Sequence, residues 1–81
     1  MYRLLEYLFE NDLFMSQRPD VDGKSIVFTF RKTKSNGVLF NKAYRMTMVE
    51  INNLDVNIMV VLIDFAERFM TEFKAEYEKG E

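Results

Sequence analysis

The fold is decided by the stretch SIVFTFRKT at residues 25–33, in which apolar and polar side chains alternate. Ile26, Phe28 and Phe30 fall on one side of an extended chain, because successive side chains of a strand point to opposite faces. Asn36-Gly37, the strongest turn signal in the chain, follows a few residues later. The pattern predicts a β-hairpin over residues 25–49.

The turn signal and the apolar pattern favour different registers for this hairpin. A two-residue turn at Asn36-Gly37 pairs Phe28 with Arg45, which places a charge on the core side. A slip of one residue moves every side chain to the other face, so burial favours pairing Phe28 with Met46 instead. We therefore predict a bulge or a longer loop between residues 34 and 41, with the tip of the hairpin projecting from the body.

The segments on either side of the hairpin predict two helices and a loop. Residues 1–15 place apolar and charged side chains on opposite sides of a helix, and Pro, Gly and Asp cluster at residues 16–24 as in a loop. Residues 53–79 predict a long final helix with three candidate N-caps, Asn52, Asn53 and Asp55. The order α-β-β-α corresponds to an α+β fold, in which a small antiparallel hairpin packs against a long C-terminal and a short N-terminal helix.

Length and composition indicate a single domain without catalytic or metal chemistry. The 81 residues are enough for one modest core, and 48% of them are hydrophobic. The chain has no Cys and no His, so thiol nucleophiles, imidazole bases and the usual ligands of zinc are missing. We therefore predict that residues 1–81 form one domain that is not an enzyme, with no catalytic residues, no metal site and no cofactor.

Two acidic patterns are weak alternatives to this prediction. Asp20-Val21-Asp22-Gly23 resembles the centre of a calcium-binding EF-hand loop, but Arg18 and Thr29 then stand where that loop needs acidic ligands. A turn that leads into a strand explains these residues better. Four acids at helical spacing predict a solvated helix face rather than a catalytic pair: Asp64, Glu67, Glu72 and Glu76.

The sequence predicts neither a membrane span nor a secretion signal. The longest uninterrupted apolar run, residues 58–63, is far shorter than the ~20 residues that cross a bilayer. Glu6 and Glu10 interrupt the apolar residues near the N-terminus, which is atypical of a signal peptide. We expect a soluble, cytoplasmic protein without a membrane partner.

The charges are divided between the hairpin and the rest of the chain. Six basic residues and no acid lie between residues 23 and 49, so this segment carries +6. The other five of the eleven basic residues stand against all thirteen acids, which gives −8 and a net charge of −2. Five of the hairpin cations are predicted to bind a partner: Arg31, Lys32, Lys34, Lys42 and Arg45.

Three interpretations of this basic hairpin compete. In the first, it docks on an acidic surface of another protein, where complementary charge speeds association. In the second, it contacts the phosphates of nucleic acid, with Phe40 and Tyr44 as stacking residues. In the third, its charge only keeps an edge strand from aggregating. The negative net charge disfavours nucleic acid at long range, and we favour the protein partner.

A second interface is predicted on the final helix. Apolar residues between positions 59 and 73 recur at alternating intervals of three and four, which is heptad spacing. A short sheet cannot cover so long a helix, so we expect its C-terminal half to be exposed and to form an oligomer or partner interface. The residues assigned to this interface, through which we predict a homodimer, are Phe69, Met70, Phe73 and Tyr77.

The strand-to-helix stretch YRMTMVEINNLD at residues 44–55, together with the element order, resembles small α-β-β-α accessory proteins of phages and mobile elements. Its strand-then-helix ending is also similar to that of some small single-stranded-DNA-binding proteins. The first resemblance implies a protein that binds and occludes a host protein, including nucleases of host defence. Our hypothesis is therefore a protein-binding inhibitor or adaptor with an acidic host protein as partner, and the alternative is a nucleic-acid-binding protein that uses the basic hairpin.

Overall fold

The computed structural model confirms the predicted α+β class and adds one strand and one helix. It describes the backbone of residues 2–54 and 58–79, and the side chains of residues 3–53 and 58–76. Three strands form one antiparallel sheet in the order β1-β2-β3. Along the chain the elements are α1 (Tyr2–Glu10), β1 (Phe14–Pro19), β2 (Ser25–Thr33), β3 (Leu39–Thr47), α2 (Met48–Leu54) and α3 (Ile58–Lys79).

The first helix is shorter than the predicted helix over residues 1–15. It ends in a Schellman cap, in which the N–H of Leu13 donates to the C=O of Leu8 at 2.8 Å and the N–H of Asp12 donates to the C=O of Phe9 at 3.2 Å. Asp12 has a φ of 54°, the left-handed conformation that this cap requires. The chain therefore reverses at Asp12 and continues as a strand instead of a helix.

Strand β1 covers residues that the sequence predicts as part of the loop at 16–24. Its six residues pair with β2 and end with Pro19 opposite Ile26. A proline is tolerated there because β1 lies at the edge of the sheet. The turn that follows is closed by Gly23, which has a φ of 70° and whose N–H donates to the C=O of Asp20 at 3.0 Å. The predicted loop is therefore correct only in its second half.

The N–H of Lys34 donates to the C=O of Val38 at 2.8 Å, so the β2–β3 hairpin has a three-residue loop at residues 35–37. Its register differs from the prediction by two residues. Phe28 lies opposite Tyr44 rather than Met46. The N–H of Gly37 donates to the C=O of Lys34 at 2.9 Å, and Gly37 has a φ of 87°, so a turn is followed by a left-handed glycine. A shift of two residues leaves each side chain on the same face, so the predicted burial is right although the pairing is wrong. The longer loop that the apolar pattern predicts is present.

The final helical segment begins earlier than predicted and contains two helices. Thr47 and Glu50 form a capping box at the start of α2: the N–H of Glu50 donates to Thr47 Oγ1 at 3.1 Å, and the N–H of Thr47 donates to Glu50 Oε1 at 3.0 Å. Strand β3 therefore passes into α2 without a loop. Of the predicted N-caps, Asn52 and Asn53 lie inside α2, and Asp55 lies outside the described residues.

The core lies between one face of the sheet and α3. Phe28, Phe30 and Met46 of the sheet are each no more than 2% exposed. Phe30 packs on Phe69 of α3 with 6.0 Å between ring centroids, and Leu4 of α1 belongs to the same cluster. The apolar face of the hairpin therefore packs against a long helix, as the sequence predicts.

Candidate functional site on the open face of the sheet

The core cluster lies on one face of the sheet, and we refer to the opposite face as the open face. The register defines its members, because side chains alternate along each strand and Phe14, Arg31 and Asn41 lie opposite one another. None of these described residues belongs to the core cluster. The open face consists of Phe14, Ser16 and Arg18 from β1, Ser25, Val27, Thr29, Arg31 and Thr33 from β2, and Leu39, Asn41, Ala43, Arg45 and Thr47 from β3.

Every charged residue of the open face is an arginine. Arg18, Arg31 and Arg45 come from three different strands, and none of the described strand positions on this face carries Asp or Glu. Two exposed apolar side chains accompany them, Phe14 at 59% and Leu39 at 51% exposure. Arginine beside exposed aromatic and aliphatic side chains is a composition that protein interfaces favour.

Arg45 is held by an ion pair that crosses the central strand. Its Nη1 lies 3.0 Å from Oδ2 of Asp20, which follows β1 on the far side of β2. Ser25 and Val27 of β2 lie between these two residues and are only 3% and 7% exposed, although they are on the open face. Hydrogen bonds from the Val21 N–H and from Arg45 lower the pKa of Asp20, so its carboxylate is ionised at neutral pH.

Arg31 is stacked on an aromatic ring instead of being paired with an acid. Its guanidinium carbon lies 4.9 Å from the centre of the Phe14 ring, which is a cation–π distance. Its Nε is buried and has no hydrogen-bond partner among the described residues. Arg18 is exposed at the edge of the sheet. The ion pairs found in the described part of the chain involve Arg45 and Arg68, so the charges of Arg31 and Arg18 are available to a partner.

The five cations predicted to bind a partner fall into two groups. Arg31 and Arg45 lie on the open face. The ammonium groups of Lys34 and Lys42 lie 5.7 and 5.8 Å from the centre of the Phe40 ring, which belongs to the opposite, core-facing side. The predicted residues on that side are Lys32, Lys34 and Lys42. The arginines and the lysines therefore serve different surfaces of the hairpin.

The interface predicted on the final helix is part of the core. Phe69 is fully buried, and Met70 and Phe73 are each 8% exposed. Phe40 packs on Phe69 and Phe73 with ring centroids 5.4 and 5.7 Å apart, so the hairpin covers more of α3 than the sequence predicts. The prediction that these three residues are exposed is therefore wrong. The side chain of Tyr77 lies outside the described residues. A homodimer stays a prediction.

The aromatic residues assigned to base stacking are also engaged inside the chain. Tyr44 stacks on Phe65 with 5.0 Å between centroids and 7° between planes, and Phe40 packs on α3. The Tyr44 hydroxyl donates to Oε2 of Glu72 at 3.0 Å. Burial, together with this hydrogen bond and the charge of Glu72, raises the pKa of Tyr44 to about 12. Both rings that were predicted to stack on bases therefore pack against α3 and are half-buried, and nucleic-acid binding stays a prediction.

The acidic patterns of the sequence have structural explanations. Asp22 Oδ1 accepts the N–H of Lys24 at 2.8 Å, so it stabilises the β1–β2 turn, and Asp64 pairs with Arg68 at 3.1 Å. Within the described ranges, no group of three or more acidic, Cys or His side chains is placed to hold a metal ion. The four acids predicted to form a solvated helix face are all exposed: Asp64, Glu67, Glu72 and Glu76.

Sequence reasoning missed three residues of the open face: Phe14, Arg18 and Leu39. The first two were not assigned because β1 was not predicted. The signal for this strand is the left-handed Asp12 after a helical turn, followed by the apolar pair Phe14-Met15. A second overlooked signal is the capping box between Thr47 and Glu50, which marks the start of α2 in the sequence itself.

The fold and the open face define a small α+β protein in which one side of the sheet carries the core and the other carries the arginines. Comparisons with protein-family models, with curated proteins and with solved structures found no match. In the part of the chain that the structure describes, no helix combines the length and the apolar character needed to cross a membrane. The functional argument therefore depends on the chemistry of the open face.

Proposed function

We propose that this protein is a non-enzymatic binding module whose open face docks on an acidic surface of another protein. The supporting observation is that Arg18, Arg31 and Arg45 all lie on the face of the sheet opposite the core cluster. The guanidinium groups of Arg18 and Arg31 take part in none of the ion pairs found among the described residues, so they can attract carboxylates and form paired hydrogen bonds with them.

The shape of the open face also suits a protein partner. Ser16, Thr29 and Ala43 lie opposite one another in the middle of the sheet, so the centre of the face carries only small side chains. A partner can therefore approach closely between the arginines. The exposed rings and chains of Phe14 and Leu39 supply the apolar contacts that a protein surface matches and a hydrated phosphate backbone does not.

The mechanism in this proposal is occlusion. A cationic face that covers an acidic patch removes that patch from its other ligands, which is how an inhibitor or an adaptor of a host protein acts. Nucleases of host defence are partners of suitable chemistry, because their metal-binding carboxylates form acidic surfaces. A cytoplasmic location and a role in phages or mobile elements belong to the same proposal.

A pair of matched double variants tests this proposal. The arginine variant carries Arg18→Gln and Arg31→Gln, and the lysine variant carries Lys34→Gln and Lys42→Gln, so both lose two positive charges. Proteins captured by the wild type from nuclease-treated lysate of the source cell are purified, and their affinity is measured by titration calorimetry. We expect the arginine variant to bind at least about tenfold more weakly and the lysine variant to bind within about twofold of the wild type.

Three outcomes contradict the proposal. Equal weakening of both variants would show that binding follows net charge instead of the open face. Equal affinity of the arginine variant and the wild type would exclude the open face. Capture that disappears after nuclease treatment, with a direct gel shift that weakens steeply as salt is raised, would identify nucleic acid as the partner.

A further inference from the structure

A shallow cavity surrounds Arg31 at one end of the open face, and we refer to it as the Arg31 pocket. Its volume is about 350 Å³. It lies where the end of α1, the start of β1 and the β2–β3 hairpin meet. The residues that line it are Asp12, Phe14, Arg31, Lys32, Thr33 and Leu39.

The guanidinium group of Arg31 is already positioned in this pocket. The Phe14 ring lies 4.9 Å from its guanidinium carbon, a cation–π distance, so the group rests against this ring. The Nε–H is buried without an acceptor among the described residues. A buried donor without an acceptor lowers the stability of the folded protein. A rotation of the side chain toward a bound anion would supply the acceptor that Nε lacks.

The other charged groups of the pocket leave room for one negative charge. The Lys32 ammonium group donates to the C=O of Asn11 and lies 5.5 Å from the centre of the Phe73 ring, so it is engaged on the core side. Asp12 lines the pocket but forms no ion pair with another described residue. The formal charge of the lining is +1, from Arg31 and Lys32 against Asp12, and because Lys32 is engaged on the core side, Arg31 is the group that meets the single negative charge of a ligand.

The rim of the pocket is apolar on two sides. Phe14 and Leu39 are 59% and 51% exposed and belong to the strands on either side of Arg31. A ligand that places its charge on Arg31 therefore also meets hydrocarbon surface. We propose that the Arg31 pocket binds the carboxylate of a Glu or Asp side chain that stands next to an apolar residue in the partner protein.

This inference rests on the proposed function, because it names the group of the partner that the open face recognises. A carboxylate fits better than a phosphate, since a phosphate ester near its dianionic form needs more donors than a single free guanidinium and would meet the carboxylate of Asp12. An apolar neighbour in the ligand is required because Phe14 and Leu39 would otherwise be left against water.

The test uses the full ¹⁵N-labelled chain and a defined peptide. The probe is the acetylated and amidated tetrapeptide Gly-Glu-Leu-Gly, and its counterparts replace Glu by Gln or by phosphoserine. Nuclear magnetic resonance follows the Nε–H of Arg31 and the backbone N–H groups of Phe14 and Leu39 during titration. We expect saturable shifts at these groups with the Glu peptide and affinity about tenfold lower with the Gln peptide.

Two variants of the pocket have opposite expected effects. Arg31→Lys keeps the charge but loses the fork of donors, so the Glu peptide should bind about fivefold more weakly. Asp12→Asn removes the negative charge and keeps a residue that tolerates a left-handed φ, so binding should tighten about twofold. Arg3→Lys makes the same exchange on α1, outside the open face, and should leave the affinity unchanged.

Each contrary result contradicts a different part of the proposal for the Arg31 pocket. Equal binding of the Glu and Gln peptides, or an unchanged affinity of Arg31→Lys, would show that no carboxylate is held there. Tighter binding of the phosphoserine peptide would make this a phosphate site. If these tests fail while the arginine double variant still loses its captured protein, the open face binds by other residues. If the pocket binds the Glu peptide while the arginine double variant keeps its captured protein, the proposed function is wrong but the Arg31 pocket still binds a carboxylate.

Discussion

The burial of Phe69 leads to a prediction that separates a core residue from an interface residue. Phe69 is fully buried, and its ring lies 6.0, 5.4 and 6.4 Å from those of Phe30, Phe40 and Phe73. Phe69→Ala removes this ring and leaves a cavity, so the free energy of unfolding should fall by about 3–5 kcal/mol. A chain of 81 residues has roughly 4–12 kcal/mol in total at typical values per residue, so the variant loses much of its stability.

Phe9→Ala is the matched control for this experiment. The Phe9 ring is 89% exposed, so its removal should change the free energy of unfolding by less than about 0.5 kcal/mol. Urea unfolding followed by circular dichroism measures both changes, and sedimentation velocity of the folded proteins gives their mass. The reasoning is refuted if Phe69→Ala stays within about 1 kcal/mol of the wild type and instead converts a dimer into a monomer.

Three further predictions concern the two helix caps and one tyrosine. Asp12→Gly should raise the free energy of unfolding by about 0.5–1 kcal/mol in urea, because glycine adopts the left-handed φ of this cap without steric cost. The hydrogen bonds from Thr47 lower the pKa of Glu50. The stability that this carboxylate contributes is therefore present above its unfolded pKa and is lost as the pH falls through its folded pKa. Glu50→Gln should flatten this part of a curve of stability against pH. Ultraviolet titration should place the Tyr44 phenol at a pKa of about 12, and Glu72→Gln should lower that pKa but leave it above its ordinary value, because burial remains its largest cause.

Contrary results for these three are equally clear. A loss of stability in Asp12→Gly would mean that the side chain contributes more than the backbone strain costs. A stability–pH curve that Glu50→Gln leaves unchanged would contradict the capping box. A Tyr44 pKa that is insensitive to Glu72→Gln would show that the hydroxyl of Tyr44 donates elsewhere in solution.

The side of the sheet that packs on the core is predictable from the sequence, because alternation depends only on the two-residue period of a strand. Phe28 and Phe30 are buried as predicted even though the pairing of Phe28 with Met46 is wrong. The pairing depends on the loop, and the pattern cannot distinguish two registers that differ by two residues, because both place the same side chains on the core face. Burial is therefore a safer inference than register.

Strand β1 is harder to predict because its own sequence is a poor strand. It contains Ser16, Gln17 and Pro19, and it exists because it pairs with the long, regular β2. The neighbouring strand thus overrides local preference. Without β1 the open face is incomplete in the sequence-based prediction, because Phe14 and Arg18 belong to this face and neither is part of the basic hairpin.

The separation of arginines from lysines on the hairpin decides which surface has binding capacity. Lysine stems extend along the aromatic edge of the core and place their ammonium groups near rings, as Lys34 and Lys42 do beside Phe40, so part of their charge supports the fold. On the open face, Arg45 bridges to Asp20 and the guanidinium group of Arg31 rests against the Phe14 ring. A count of positive charge along the chain treats the two groups alike. Arg31 combines planar donors with the adjacent exposed apolar side chains of Phe14 and Leu39, and therefore the open face, not the hairpin as a whole, is where we expect a carboxylate-bearing partner to gain the most from docking.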